Sequence, residues 1–158
     1  MLRITTLLVI CAVWAAAQTP APAAPKLFAA AGDVTALIAK AKAERKPDQA
    51  NFSQPIVRMA PYSANLEYRV GSNAPASVHE KEAEMFYGVE GTGTMVTGGK
   101  LVEEKRTNAA NLSGTKIEGG ESRKLSKGDF LIVPAGTPHW ITGIDGALAL
   151  MTLHLPVQ

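Results

Sequence analysis

Cysteine is almost absent from this 158-residue chain, which contains a single one, Cys11. Because Cys11 lies in an apolar run near the N terminus, the rest of the chain has no thiol. A scaffold stabilised by disulfides is therefore excluded. The chain is long enough for one domain with one adequate core, so its stability must come from packing.

Long hydrophobic runs are also absent. No run in the chain reaches the length of about 20 apolar residues that a transmembrane helix needs. The run ITTLLVICAVWAAA is shorter; it follows Arg3 and ends in small residues, Ala15 to Ala17. A positive start, a short apolar run and a small-residue cleavage site are typical of a secretory signal. We expect residues 1–17 to be removed on export to the periplasm or the medium, with no membrane attachment afterwards.

Neither sign of charge dominates the chain. Sixteen basic and 14 acidic residues give a formal net charge of +2. This balance leaves no broad basic face for a phosphate backbone, so nucleic acid is excluded as a partner. A small-molecule ligand or substrate is expected instead.

After the predicted signal at residues 1–17, the chain divides into three further segments. Residues 18–31 are an Ala/Pro-rich tether, and residues 32–54 are a short helix with a lead-in, in which Asp33 is predicted as the N-cap and Pro47 ends the helix. From residue 55 to residue 158, short β-type runs alternate with glycine turns, a pattern that favours a sandwich or barrel. Within it, TNAANLSGTKIEGGES is predicted to be a polar loop.

Histidine is scarce as well, with three in the chain, and one of them lies in the stretch GDFLIVPAGTPHWITG. Here Gly128, Pro134, Gly136 and His139 are separated by five, one and two residues. This spacing resembles the second conserved motif of the cupin superfamily, except that Gly143 stands where the family usually has asparagine.

An earlier stretch, GSNAPASVHEKEAEMFYGVEG, resembles the first cupin motif. Gly71, His79, Glu84 and Gly91 occur at the spacing of that motif, but Ser77 stands where cupins usually carry their first histidine. The resemblance implies an all-β fold, a cupin-type antiparallel β-barrel or jelly roll, here with a short N-terminal helix. It also implies a homodimer and a ligand site inside the barrel.

By this resemblance, His79, Glu84 and His139 occupy three of the family's four metal-ligand positions. Two imidazoles and one carboxylate can hold divalent iron, manganese, nickel or zinc, and they leave three octahedral positions open to water, oxygen or a chelating substrate. Ser77 is a poor ligand, but its hydroxyl could hydrogen-bond a substrate oxygen. Ser77 is therefore a candidate substrate-binding residue.

The sequence leaves two functions open. The first is an exported metal-dependent enzyme, an oxygenase, lyase or isomerase acting on a small oxygenated substrate. The second is a non-catalytic module that binds a small ligand or a metal, since a hydrogen bond between His79 and Glu84 needs no ion. His154, at the end of the last strand, is a candidate general acid or base, or else a surface residue. Glu80 and Glu82 are expected in an exposed turn.

Overall fold

The computed structural model describes residues 24–71 and 74–157. The predicted signal at residues 1–17 and the first part of the tether lie outside the described residues. The described part contains one helix, α1 (Ala31–Glu44), which is not long and apolar enough to cross a membrane. It also contains eleven strands: β1 (Asn51–Met59), β2 (Tyr62–Val70), β3 (Ala76–His79), β4 (Glu82–Thr97), β5 (Lys100–Val102), β6 (Lys105–Asn108), β7 (Asn111–Gly114), β8 (Lys116–Glu118), β9 (Glu121–Ser126), β10 (Phe130–Val133) and β11 (His139–Pro156).

The helix begins slightly earlier than the sequence predicts. Asp33 is not the N-cap; the N-cap is Ala30, whose backbone N–H donates to the Asp33 carboxylate at 3.0 Å. The acidic side chain of Asp33 stabilises the positive end of the helix, whether Asp33 is the N-cap or lies within the first turn. Ile38 and Ala41 face the protein and are buried. The helix ends before Arg45, as the nearby proline predicts.

The antiparallel strands form two layers that share the long strands β4 and β11. Layer I contains β1, β2, the C-terminal half of β11, the N-terminal half of β4, and β10. Layer II contains β6, β7, β3, the N-terminal half of β11, the C-terminal half of β4, and β9. Strands β5 and β8 form a separate pair. The predicted cupin-type β-barrel with an N-terminal helix is therefore confirmed.

A glycine allows the two shared strands to approach where they bend from one layer into the other. Gly91 has φ of 83°, and a Cβ at this position would collide with the carbonyl oxygen of Ala147 on β11. The register of β11 against β4 also shifts between Asp145 and Leu148. The glycine that ends the first motif is thus required for the turn of the chain between layers.

Of the three hydrophobic clusters in the described residues, two are large. One fills the interior between the layers and includes Phe86, Met95, Leu148 and Leu150. The other lies on the outer face of layer I, where α1 packs on β1 and β2. The interior cluster leaves one end of the barrel to polar side chains, and the candidate site lies there.

The predicted polar loop is wrong. The stretch from Thr107 to Ser122 contains β7, β8 and the ends of β6 and β9. Strand β7 pairs with β3 through four residue pairs, so its backbone hydrogen bonds are made within the sheet despite its polar side chains. Strand β1 likewise begins at Asn51, before the predicted start of the β region. Strand pairing outweighs weak local β propensity in these segments.

Candidate metal centre

A buried carboxylate, Glu84, lies at the centre of the polar end of the barrel. Glu84 is on β4, and its residue is only 4 % exposed. Strand alternation turns Glu84 and Phe86 to the interior and Met85 to the outer face. Across the sheet, Glu84 is in register with His154 of β11 on one side and with Val133 of β10 on the other.

All three histidines of the chain direct Nε2 towards the Glu84 carboxylate. Nε2 of His139 lies 3.1 Å from Oε2, and Nε2 of His79 lies 3.3 Å from the same oxygen. Nε2 of His154 lies 3.5 Å from the other oxygen, Oε1. The His79 ring centroid is 5.2 Å from that of His139 and 5.3 Å from that of His154. The three imidazoles therefore surround one carboxylate.

The other ring nitrogen of each histidine has its own acceptor. Nδ1 of His79 lies 2.9 Å from Asn111 Oδ1, and Nδ1 of His139 lies 3.3 Å from the Thr137 carbonyl oxygen. Nδ1 of His154 lies 3.0 Å from Glu82 Oε2. When Nδ1–H donates to such an acceptor, a neutral imidazole carries its lone pair on Nε2. This is the usual outer-sphere arrangement of metal-bound histidine.

The pKa values reflect the close contact of imidazoles and carboxylate. Burial opposes ionisation of Glu84, but hydrogen bonds from His139 and His79 outweigh it and hold the pKa of the carboxyl well below its usual range. The hydrogen bond to Glu84 raises the pKa of His79 above its usual value, against the effect of burial. Glu84 is therefore ionised at neutral pH, and its carboxylate stabilises the protonated, positively charged form of His79.

A divalent cation fits this donor set. Three imidazolium groups around one buried carboxylate would repel each other, whereas one cation serves all the Nε2 lone pairs at once. Two ligand atoms at right angles, each about 2.1 Å from a metal, are about 3 Å apart, close to the His–Glu separations found here. The ligand atoms of His79, Glu84 and His154 all lie within 4.8 Å of one another. Nitrogen and carboxylate donors suit divalent transition metals.

The structure brings together the three residues predicted as ligands, His79, Glu84 and His139. Their role as ligands stays a prediction. Ser77, the candidate substrate-binding residue, lies on β3 in register with His139 and is half-buried. His154, the candidate acid or base, lies within the same cluster.

Two functional residues were missed by the sequence reasoning, Asn111 and Glu82. The contact of Asn111 with His79 depends on the β3–β7 register, in which these two residues are direct partners. The sequence carries no signal for this register. Glu82 begins β4 and contacts His154 rather than lying in an exposed turn. Its spacing of two from Glu84 in a strand was a signal for a shared face. Glu80 is exposed, as expected, and forms an ion pair with Arg106.

Comparison with known proteins agrees with this architecture. The sequence profile of the family described as Cupin matches residues 49–155, more than half of the chain. A search of curated protein sequences found no relative.

Solved structures share the fold at low sequence identity. A crystal structure of the iron(II) form of HppE is similar with a TM-score of 0.53 and 18 % identity, covering 68 % of this chain and 52 % of that one. TT1209 from Thermus thermophilus gives 0.53 and 18 %, covering 73 % of this chain and 91 % of that one. KdgF from Halomonas sp. gives 0.51 and 16 %, covering 72 % and 87 %. The chain thus spans about half of the length of the HppE structure.

Proposed function

Because the chain belongs to the cupin family, we propose that it is an exported metal-dependent enzyme that acts on a small oxygenated molecule. His79, Glu84 and His139 would hold one divalent transition-metal ion. The observation that carries this proposal is the convergence of imidazole Nε2 atoms on one buried carboxylate, with each Nδ1 facing its own acceptor.

The chemistry would follow from the open side of the centre. A bound metal of this kind supplies Lewis-acid polarisation of a coordinated substrate oxygen, and iron or manganese also supplies redox chemistry. The Phe86 ring packs 5.8 Å from the His139 ring and excludes water on the inner side of the site. The His79 and His154 side chains are 20 % and 22 % exposed and that of Glu84 is 5 % exposed, so a substrate would enter beside these two histidines.

The reaction class stays within three alternatives, oxygenase, lyase and isomerase. Three protein ligands from His79, Glu84 and His139 leave room for a chelating substrate together with oxygen, which favours an oxygenase. The Ser77 hydroxyl, in register with His139, would orient a substrate oxygen by a hydrogen bond. An iron(II) form of the structurally similar HppE is consistent with iron as the metal.

A second function, a metal-free module that binds a small ligand, is favoured by one observation. His139 and Glu84 contact each other directly at 3.1 Å, so this buried pair is satisfied by a proton alone. In that case the barrel would supply affinity without turnover.

Elemental analysis of the untagged protein separates the two functions. We expect close to one transition-metal ion per chain, lost in Glu84→Gln and in His139→Ala. Glu80→Gln is the matched control, because Glu80 belongs to the same stretch but pairs with Arg106 at the surface. A wild-type protein without metal after loading would support the second function instead. A Glu84→Gln variant that keeps its metal would contradict Glu84 as a ligand and place the metal elsewhere.

Export is part of the proposal and is supported by the signal-like pattern of residues 1–17. Intact mass spectrometry of protein recovered outside the cytoplasm should show a chain that begins at Gln18. Uncleaved protein that stays in the cytoplasm would contradict this part.

A further inference from the structure

We propose that His154 is a metal ligand and replaces the imidazole that is missing at position 77. The inference rests on the proposed function, because it concerns how the same centre is completed. It adds a residue that lies outside both sequence motifs, near the end of the last strand.

The need for such a residue is clear at Ser77. This serine lies in layer II, in register with His139. A neutral hydroxyl binds a transition metal much more weakly than an imidazole does. Without a substitute, the centre would hold its metal with two imidazoles and one carboxylate.

His154 approaches the centre from the opposite layer. It is in register with Glu84 across β4 and β11, and its Nε2 lies 3.5 Å from Glu84 Oε1. Its ring stands edge-on to that of His79 at 5.3 Å. Ligand atoms on opposite sides of one metal are about 4.2 Å apart. The ligand atoms of His79, Glu84 and His154 lie within 4.8 Å of one another, so small side-chain rotations would bring them to metal-ligand distances.

The hydrogen-bond partner of His154, Glu82, makes His154 a stronger metal ligand. Nδ1 of His154 lies 3.0 Å from the Glu82 carboxylate, whereas His79 and His139 have neutral acceptors, Asn111 and the Thr137 carbonyl. A carboxylate that accepts the Nδ1 proton fixes the tautomer and makes Nε2 more basic. Both side chains are partly shielded, with His154 at 22 % and Glu82 at 37 % exposure.

The resulting centre takes two ligands from each layer. Glu84 and His154 come from layer I, and His79 and His139 come from layer II. A metal would thus join the two layers at the polar end of the barrel. In an octahedral centre these four ligands would leave two positions open, one fewer than three ligands leave, and the Ser77 hydroxyl could hydrogen-bond a water molecule or a substrate oxygen bound there.

The test counts imidazoles on Co(II) by NMR of the untagged protein. An imidazole that coordinates through Nε2 keeps its Nδ1–H, which gives one strongly shifted resonance that disappears in D₂O. The chain has only three histidines, so three such resonances require that His154 is bound. This readout needs neither a substitution nor an activity assay.

Two variants extend the count. His154→Gln should show two shifted resonances and bind Co(II) more than 100-fold more weakly, a larger loss than the roughly 10–100-fold expected for an outer-sphere change such as Glu82→Gln. Adding Ser77→His to His154→Gln should restore three resonances and most of the affinity.

The outcomes separate this inference from the proposed function. Two shifted resonances in the wild type, with metal binding abolished by His79→Ala but unchanged in His154→Gln, would overturn the role of His154 and leave the metal centre standing. A wild-type protein that binds no Co(II) would overturn both.

Discussion

At the scale of single residues, the centre depends on how one carboxylate is shared. Oε2 of Glu84 faces His79 and His139, and Oε1 faces His154. A carboxylate that is 5 % exposed loses hydration, and its charge is stabilised by the surrounding imidazoles. Removal of the Glu84 charge would therefore leave the imidazoles without their common partner.

The pH dependence of metal binding follows from these charges. Glu84, whose pKa is lowered, stays ionised near neutral pH, so no proton on its carboxylate competes with the metal there. His79 has a raised pKa, and its proton must leave before a metal binds. Affinity should thus increase with pH by about tenfold per unit for each proton displaced, and continue to increase above pH 6.5, the usual imidazole pKa.

Competition with a chelator of known affinity, from about pH 5.5 to 8.5, measures this dependence. An affinity that stays constant over that range would contradict the ligand role of His79. The sign is fixed: a metal that bound more tightly at lower pH would be held by other groups.

At the scale of secondary structure, sequence reasoning succeeds where one residue type has one geometric use. Gly91, His79 and Glu84 belong to the motif whose resemblance implies the barrel, and the turn of β4 into the second layer needs a glycine at position 91. Sequence reasoning fails where pairing between strands determines the secondary structure. The polar residues of β7 have little β propensity of their own, and pairing with β3 and β6 makes them a strand.

Asn111 shows what such a pairing contributes to the site. As the direct partner of His79 in the β3–β7 register, it holds Nδ1 at 2.9 Å. Outer-sphere partners of metal-bound histidines typically contribute about 10–100-fold to metal affinity. We therefore predict that Asn111→Ala lowers metal affinity by about that factor without unfolding the protein, as measured by chelator competition and circular dichroism.

The matched control for this prediction is Asn108→Ala. Asn108 lies in the same β6–β7 hairpin, and its side chain accepts from the Ala110 backbone rather than from an imidazole. Its affinity for metal should equal that of the wild type. Equal losses in both variants would assign the effect of Asn111 to the stability of the hairpin.

At the scale of the whole molecule, the outer face of layer I has two parts, and they differ in what covers them. Helix α1 covers the part formed by β1 and β2. The part formed by β10, β4 and β11 carries two rows of apolar side chains, and among the described residues only Met151 of these rows packs against the cluster that α1 covers. The rows follow the strand register: Phe130, Tyr87 and Met151, and then Ile132, Met85 and Leu153.

This apolar face fits a second copy of the chain. Phe130 is 68 % exposed and Ile132 is 55 % exposed, and neither row contains a charged side chain. Within the described residues, β10 pairs only with β4, so the edge of the sheet next to these rows is open as well. A second copy related by two-fold symmetry would present the same apolar rows and the same edge. It would cover the apolar rows and the open edge of the sheet together.

We therefore predict a homodimer through this face, measured by size-exclusion chromatography with light scattering. Phe130→Glu should give a monomer that still binds metal, because Phe130 is on the outer face, away from the interior where the centre lies. Phe28→Glu is the control: Phe28 is even more exposed than Phe130, at 77 %, but is not part of these rows, so this variant should stay dimeric. A wild-type monomer would contradict the dimer and leave the N-terminal residues of the same chain, or another protein, to cover the face. A Phe130→Glu protein that remains dimeric would place the interface elsewhere, since a charge buried between two apolar surfaces without a partner costs several kcal/mol.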